Sequence, residues 1–239
     1  MKTYESLYND KKFKVWLDLS TYCNAACPQC HRTNPNGLGK ADWLPLIQWS
    51  LEEFKTAFSP KTMNHIKEFQ ICGTWGDPGM NKDILEICKY IINNSKAYII
   101  LNTNGSMRDE FWWTQLGYTL QERGIIYFDV DGTDQEMHSL YRQKTNLKLI
   151  LKHIKAFSQY GNFSVFTVVF KHNEDYLKDI HALVKDIRGF KEHLFVPTDR
   201  GHHTDNFKFI KKGKTHTLDH SQKYGNKPHR HSFKIDEIL

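Results

Sequence analysis

Along the 239 residues, short apolar runs of strand length alternate with longer segments of helical period. The candidate strands are residues 13–20 (FKVWLDLS), 68–73 (EFQICG), 97–105 (AYIILNTNG), 125–132 (IIYFDVDG), 163–170 (FSVFTVVF) and 193–198 (HLFVPT). Between the first two, Ile47, Leu51, Phe54 and Phe58 recur at helical spacing, with Pro45 where a helix can begin. Ile84, Ile87, Cys88 and Ile91 mark a second helix face, and the segment 109–123, with Phe111, Trp112, Leu116 and Leu120, fills the next gap. Leu147, Ile150, Leu151 and Ile154 precede the fifth strand, and Leu177, Ile180, Val184 and Ile187 the sixth. Strands joined by crossover helices predict an α/β fold with a parallel sheet, either open and doubly wound or curved toward a barrel. Ligands then bind at the carboxyl ends of the strands.

The unusual residues sit at those ends: three cysteines after the first strand, GTWGDP after the second, TNGS after the third, DVDG closing the fourth and KHN after the fifth. Five strand ends therefore converge on one expected site. From about residue 199 the period stops, which divides the chain into an N-terminal extension (1–12), a core domain (13–199) and a tail (200–239). The tail holds six of the 13 histidines, scattered without the paired spacing of a zinc site, and reads as an irregular, solvated extension.

Charge changes the picture less than its total suggests. Of the formal +6, the tail supplies +5, from nine Lys and Arg against four Asp and Glu, leaving +1 for residues 1–199. The tail lacks the interleaved aromatic and basic residues of base recognition, so nucleic acid is not the expected partner. No apolar run is long enough for a membrane span, and the first residues lack the apolar core of a secretory signal, so a cytoplasmic protein is expected. Five cysteines, an odd number with three of them crowded, suit a reducing compartment and a metal or cluster site.

The crowded cysteines are Cys23, Cys27 and Cys30, in CNAACPQC, with spacing C-x3-C-x2-C. Three thiolates hold three corners of a 4Fe-4S cluster and leave the fourth iron open, as a catalytic metal site requires. The spacing differs from bacterial ferredoxin and zinc motifs. The stretch resembles the signature of the radical S-adenosylmethionine (SAM) superfamily. That resemblance implies a partial (β/α)6 TIM-like barrel of parallel strands with outer helices, followed here by the irregular extension. It implies two cofactors, a 4Fe-4S cluster held by the three cysteines and SAM chelated at the open iron. Reductive cleavage of SAM would then yield a 5'-deoxyadenosyl radical that attacks a substrate.

The other strand ends carry the resemblance further, over roughly residues 13–198. CGTWGDPGMN (72–81) is similar to the family's glycine-rich turn beside the methionyl part of SAM. Gly73 and Gly76 would let backbone approach the ligand, and Asp77, where the family usually has Glu, would face the ammonium. LNTNGS places Asn104 in the family's T-N-G turn. FDVDGTDQEMHSLYR (128–142) puts Asp129 at the position of a serine that faces SAM and Arg142 at that of an arginine able to pair with the SAM carboxylate. Two features depart from the pattern. Gln29 stands where many members have an aromatic residue near the adenine, and no cysteine follows Cys88, whereas relatives with these motifs usually continue into an auxiliary-cluster (SPASM or twitch-type) domain.

Simpler roles account for several other residues. Cys72 and Cys88 read as buried small hydrophobes. Asp129 and Asp131 could cap a turn, although two acids closing a buried strand favour function. Arg142 could equally be an ordinary surface arginine. Trp75 has two readings, packing on the cysteine loop or touching substrate, and His31 reads as loop packing rather than a fourth ligand. Lys148, Lys152 and Lys155 form a solvated helix face. The expected function is radical SAM catalysis on a peptide or protein, served by a flavodoxin- or ferredoxin-like electron donor. The alternatives are an RNA-modifying enzyme, a non-enzymatic metal module, or a cluster subunit that needs a partner chain to supply the missing domain.

Overall fold

The computed structural model describes residues 13–198, 206–224 and 232–237. Six strands, β1 (Phe13–Leu17), β2 (Ile66–Ile71), β3 (Tyr98–Thr103), β4 (Gly124–Asp129), β5 (Asn162–Val169) and β6 (Phe190–Pro197), form one sheet in sequential order. Every neighbouring pair is parallel. Helices α1 (Leu51–Ala57), α2 (Pro60–Met63), α3 (Ile84–Asn94), α4 (Glu110–Leu120), α5 (Gln135–Tyr141), α6 (Leu147–Phe157) and α7 (Leu177–Ala182) occupy the crossovers. The expected N-terminal extension and the boundary at residue 199 lie outside the described residues.

Strands β2 to β6 bury one face and leave the other half-open, while the edge strand β1 has no fully buried position. Phe69, Ile71, Ile99, Leu101, Ile126, Phe128 and Phe163 are buried in one core with Ile87 and Ile91 of α3, Trp113 and Leu116 of α4, and Ile150 and Phe157 of α6. The alternate positions, among them Gln70, Asn102, Asp129 and Phe166, face a cavity. A period of two thus separates packing from chemistry along the same strands. Cys88 is fully buried in the core, and Lys148, Lys152 and Lys155 are exposed, both as expected.

Two elements differ from the sequence reading. The first crossover helix begins at Leu51 rather than near Pro45, because Ser50 and Glu53 form a capping box. Ser50 accepts from the Glu53 amide at 3.2 Å, while Glu53 accepts from the Ser50 amide at 2.7 Å, satisfying donors that Pro45 has no side chain to reach. The tail, expected to be irregular, contains a hairpin of β7 (Asn206–Lys211) and β8 (Lys214–Asp219). Its turn places Lys212 at φ 50° and Gly213 at φ 72°, the left-handed pair that a tight hairpin turn demands. Phe209 and Leu218 are buried against Ala26, Cys27, Leu38 and Tyr141.

Candidate cluster and cofactor site

The loop after β1 carries the three cysteines, and a buried arginine gives it shape. Arg32 donates to three backbone carbonyls, those of Thr21 at 3.1 Å, Trp75 at 3.2 Å and Ala25 at 3.5 Å. It thereby ties the cysteine loop to the turn after β2. The Cys30 amide donates to the Cys27 carbonyl at 3.0 Å, which closes the second half of the motif into a turn. Asp18, at the end of β1, accepts from the Thr74 and Trp75 amides at 2.8 and 3.2 Å and so holds the glycine-rich turn from the other side.

All nine residues singled out by sequence line one cavity of about 370 Å³: Cys23, Cys27 and Cys30 with Gly73, Gly76, Asp77, Asn104, Asp129 and Arg142. Several of them use their polar groups in ways that spacing alone did not show. A Cβ at Gly76 would lie 2.1 Å from the Ser20 carbonyl oxygen and 2.7 Å from that of Tyr22. Glycine is therefore required there by the cysteine loop itself, not by a ligand.

Asp77 is the clearest departure from its expected contact with an ammonium. It is 4% exposed, and each of its oxygens already accepts two protons. Oδ1 receives the Gly79 amide and the Thr103 hydroxyl, both at 2.8 Å, and Oδ2 receives the Asn104 amide at 2.8 Å and Asn104 Nδ2 at 2.6 Å. Burial raises its pKa, and these bonds together with Arg142 work against that rise. The shorter acid is a clamp joining the turns after β2 and β3. Asn104 extends the clamp: Nδ2 also meets Asn24 Oδ1 at 3.0 Å and Cys23 Sγ at 3.8 Å, while Oδ1 accepts from the Ser106 amide and hydroxyl.

Arg142 is not a surface residue. Its guanidinium pairs with Asp129 at 2.9 Å and with the fully buried Asp131, and Nη1 lies 3.9 Å from Cys27 Sγ. Burial alone would lower its pKa, but Asp129, Asp131 and Cys27 outweigh that effect and hold it well above the ordinary arginine value. Asp131 is fixed in turn by the Val168 amide, and its carbonyl accepts from Asn173 of the KHN turn at 3.1 Å. Its own amide donates to His138 Nδ1 at 3.2 Å, so the ring's proton sits on Nε2, toward Thr145 at 3.0 Å. His138 belongs to α5, an element without a sequence expectation.

Three further residues complete the cavity's surroundings. Cys72, expected in the core, is half-buried in the cavity wall, because it stands one residue past the last buried position of β2. Gln29, only 4% exposed, accepts from the Thr198 hydroxyl at 2.7 Å and so ties the cysteine loop to the end of β6. Trp75 packs edge-on against Trp43 at 5.3 Å and near His31 at 6.2 Å; His31 is exposed and outside the cavity lining.

The donor set fits an iron-sulfur cluster with a polar guest. Burial pushes the Cys27 thiol up to about 12 against the pull of Arg142, and burial and Asp77 raise Cys23 further. Thiols this reluctant to ionise become thiolates when a bound metal supplies the compensating charge. Among the described residues, no three His, Cys, Asp or Glu side chains are grouped closely enough for a single metal ion, whereas cysteines spread around one cavity suit a cluster's larger span. Of the buried polar atoms that lack partners among the described residues, two are at this site, Asn102 Oδ1 in the cavity wall and Gln29 Nε2 beside it. Such atoms call for a guest with both a donor and an acceptor.

Residues 17–184 match the sequence profile of the radical SAM superfamily. The chain belongs to that superfamily. Radical SAM enzymes use a 4Fe-4S cluster and SAM, and these are the cofactors of this chain. An AdoMet-dependent heme synthase of Oleidesulfovibrio alaskensis is 27% identical over 192 residues, covering 77% of this chain and 45% of that protein. SuiB of Streptococcus suis bound to S-adenosylmethionine superposes with a TM-score of 0.62 at 13% identity, over 83% of this chain and 43% of SuiB. SuiB bound to the precursor peptide SuiA gives 0.55 at 14% identity, over 71% and 36%. The radical SAM chain thus spans less than half the length of these relatives, and its parallel sheet is the partial TIM barrel of the superfamily.

Proposed function

We propose that this chain is the catalytic core of a radical SAM enzyme that modifies a peptide or protein substrate, with Cys23, Cys27 and Cys30 as the cluster ligands. One observation carries the reading: the three thiols, the glycine-rich turn and the Asp129–Arg142 pair bound a single cavity at the carboxyl ends of the strands. When bound, the cluster and SAM supply a one-electron reductive cleavage that releases a 5'-deoxyadenosyl radical. The protein's own contribution is placement. Arg142 faces Cys27 with Nη1, while its Nη2 makes no hydrogen bond to the described residues and is available to the SAM carboxylate. Gln29 Nε2 offers a buried donor to the adenine in place of an aromatic contact, and Asn102 Oδ1 offers an acceptor. Asp77 and Asn104 act through position, holding the turns after β2 and β3 against the cysteine loop. A peptide substrate is supported by the precursor peptide of SuiB, to which the fold is similar. No helix among the described residues is long and apolar enough to cross a membrane, and five free thiols suit the reducing cytoplasm in which we place the protein.

The test is anaerobic reconstitution with iron and sulfide, reduction by dithionite and measurement of 5'-deoxyadenosine formed from SAM. Wild type should cleave SAM and Cys27→Ala should not. A reconstituted wild type that retains iron and sulfide yet forms no 5'-deoxyadenosine would overturn the reading.

A further inference from the structure

A reducible cluster in this cavity needs an electron from outside, and the hairpin packs on the cysteine loop without lining the cavity. The β7–β8 hairpin is fastened to the cysteine loop at one edge, where the Ile210 amide donates to Pro35 at 2.8 Å and the Gly37 amide donates to Ile210 at 3.1 Å. Its other edge is fastened to the end of β5, where the Lys171 amide donates to Asp219 at 3.0 Å. Phe209 and Leu218 press inward on the cysteine loop, with Cys23, Cys27 and Cys30 in the same apolar cluster, yet no hairpin residue lines the cavity. The ribbon is therefore a cover of about one sheet spacing, roughly 10 Å, over the back of the cluster loop.

The outward face of that cover has the composition of a docking patch. Ile210 is 38% exposed and shares its face with the exposed Lys208, while Lys212 and Lys214 are exposed at the hairpin's turn. None of the three forms an ion pair with a described residue. The hairpin itself carries Lys208, Lys211, Lys212 and Lys214 against Asp219, a formal +3, compared with +1 over residues 1–199, so it is a locally positive element beside the cysteine loop. An apolar centre rimmed by unpaired like charges suits a weak, electrostatically steered encounter with a partner of opposite sign.

We propose that the β7–β8 hairpin is the docking surface for a small acidic one-electron carrier protein of the flavodoxin or ferredoxin type. The proposal rests on the radical SAM reading of the cavity. In the docked state the reduced carrier loses one electron and the cluster gains it through the hairpin and cysteine loop. No proton or bond changes hands in that step.

The experiment compares wild type with Lys208→Glu/Lys212→Glu/Lys214→Glu, and uses Lys148→Glu/Lys152→Glu/Lys155→Glu on α6 as a control of equal charge change. An acidic flavodoxin is the probe. Its affinity for the full-length reconstituted protein is measured by titration, and the rate of cluster bleaching by photoreduced flavodoxin is measured at low and high salt. The hairpin variant should bind flavodoxin and be reduced by it about tenfold more weakly at low ionic strength, with the difference shrinking in high salt. The α6 variant should stay within about twofold of wild type by the same measures. Dithionite-driven SAM cleavage should be equal in all three proteins. Equal flavodoxin affinity in wild type and hairpin variant would overturn the proposal, as would equal weakening in both variants, which reports only net charge. Loss of single-stranded RNA binding in the hairpin variant with unchanged flavodoxin kinetics would assign the patch to nucleic acid and overturn it too. Absent dithionite-driven cleavage would instead overturn the radical SAM reading, while the titration decides docking independently.

Discussion

At the scale of single residues, the site is held by contacts between protein groups as much as by groups left open for a ligand. Gly76 is the sharpest case, because any side chain there meets the Ser20 carbonyl at 2.1 Å, a backbone atom that cannot swing aside. Gly76→Ala should cost about 3 kcal/mol of unfolding free energy, the upper end of an overpacking penalty. Gly39→Ala, with nothing within 4 Å of its Cβ, should be close to neutral in the same urea titration. Asp77→Asn exchanges an oxygen that accepts two protons for an amide that donates, opposite Asn104, Thr103 or Gly79. It should lose about 2 kcal/mol, the cost of leaving buried donors unmatched. A loss of SAM affinity without any loss of stability would instead place Asp77 in contact with the ligand. The cysteines and glycines were legible in the sequence because spacing alone carries their pattern. The partners of Asp77, Arg142 and Arg32 were not, because they mix nearby loop groups with groups from other strand ends, from 7 to 43 residues away for those of Arg32. Spacing shows which residue types converge, not which protons they share.

At the scale of elements, the strands were legible because each places β-branched and aromatic residues on its buried face, and five of the crossover helices because their apolar residues repeat at helical spacing. The hairpin was overlooked although its signal is present. Phe207 and Phe209 flank Lys208 before Lys212-Gly213, and Thr215 and Thr217 alternate with His216 and Leu218 after it. Its inward face is short, and it is completed by side chains of the cysteine loop and β5, so the hairpin packs only in the folded chain. That dependence makes it testable as a cover. Phe209→Ala removes a side chain that is 4% exposed, and should weaken the hairpin's docking by about 3 kcal/mol. The amides of β7 and β8 should then exchange hydrogen far faster, while those of β3 and β4 keep their protection. The reconstituted cluster should also bleach several-fold faster in air, since its outer cover opens more often. Unchanged exchange in the hairpin would show that its edge bonds to Pro35, Gly37 and Lys171, rather than Phe209, hold it in place.

At the scale of the whole molecule, the parallel direction of the strands follows from crossovers that contain helices, so the ligand-bearing end of the sheet could be read from the sequence, whereas the sequential strand order was implied only by the family resemblance. What the pattern did not carry is a set of buried histidines inside the fold, because a histidine in a sequence has no face until its neighbours are known. His138 is fully buried and faces Asp131 and Arg142; burial pushes its pKa down to about 4, against the pull of Asp131. His193, 3% exposed and facing His181, is pushed to about 3 by burial and by that neighbour. Both have folded pKa values below the ordinary 6.5. Below pH 6.5 the unfolded chain takes up protons that the folded chain refuses, so stability falls as pH drops from about 6.5 toward 4. Each histidine contributes a slope of about 1.4 kcal/mol per pH unit over that window. His138→Asn isolates one of them. The amide oxygen can accept from the Asp131 amide as Nδ1 does, so the Asp131–Arg142 pair beside Cys27 is retained while the titrating ring is removed. The variant should start less stable than wild type at pH 7 through lost packing, yet between pH 6 and 5 its urea-derived stability should fall less steeply, by about 1.4 kcal/mol per unit. Parallel curves for the two proteins would mean that His138 is not held neutral by the fold. The acid sensitivity of the molecule would then have to come from His193 and the carboxylates instead.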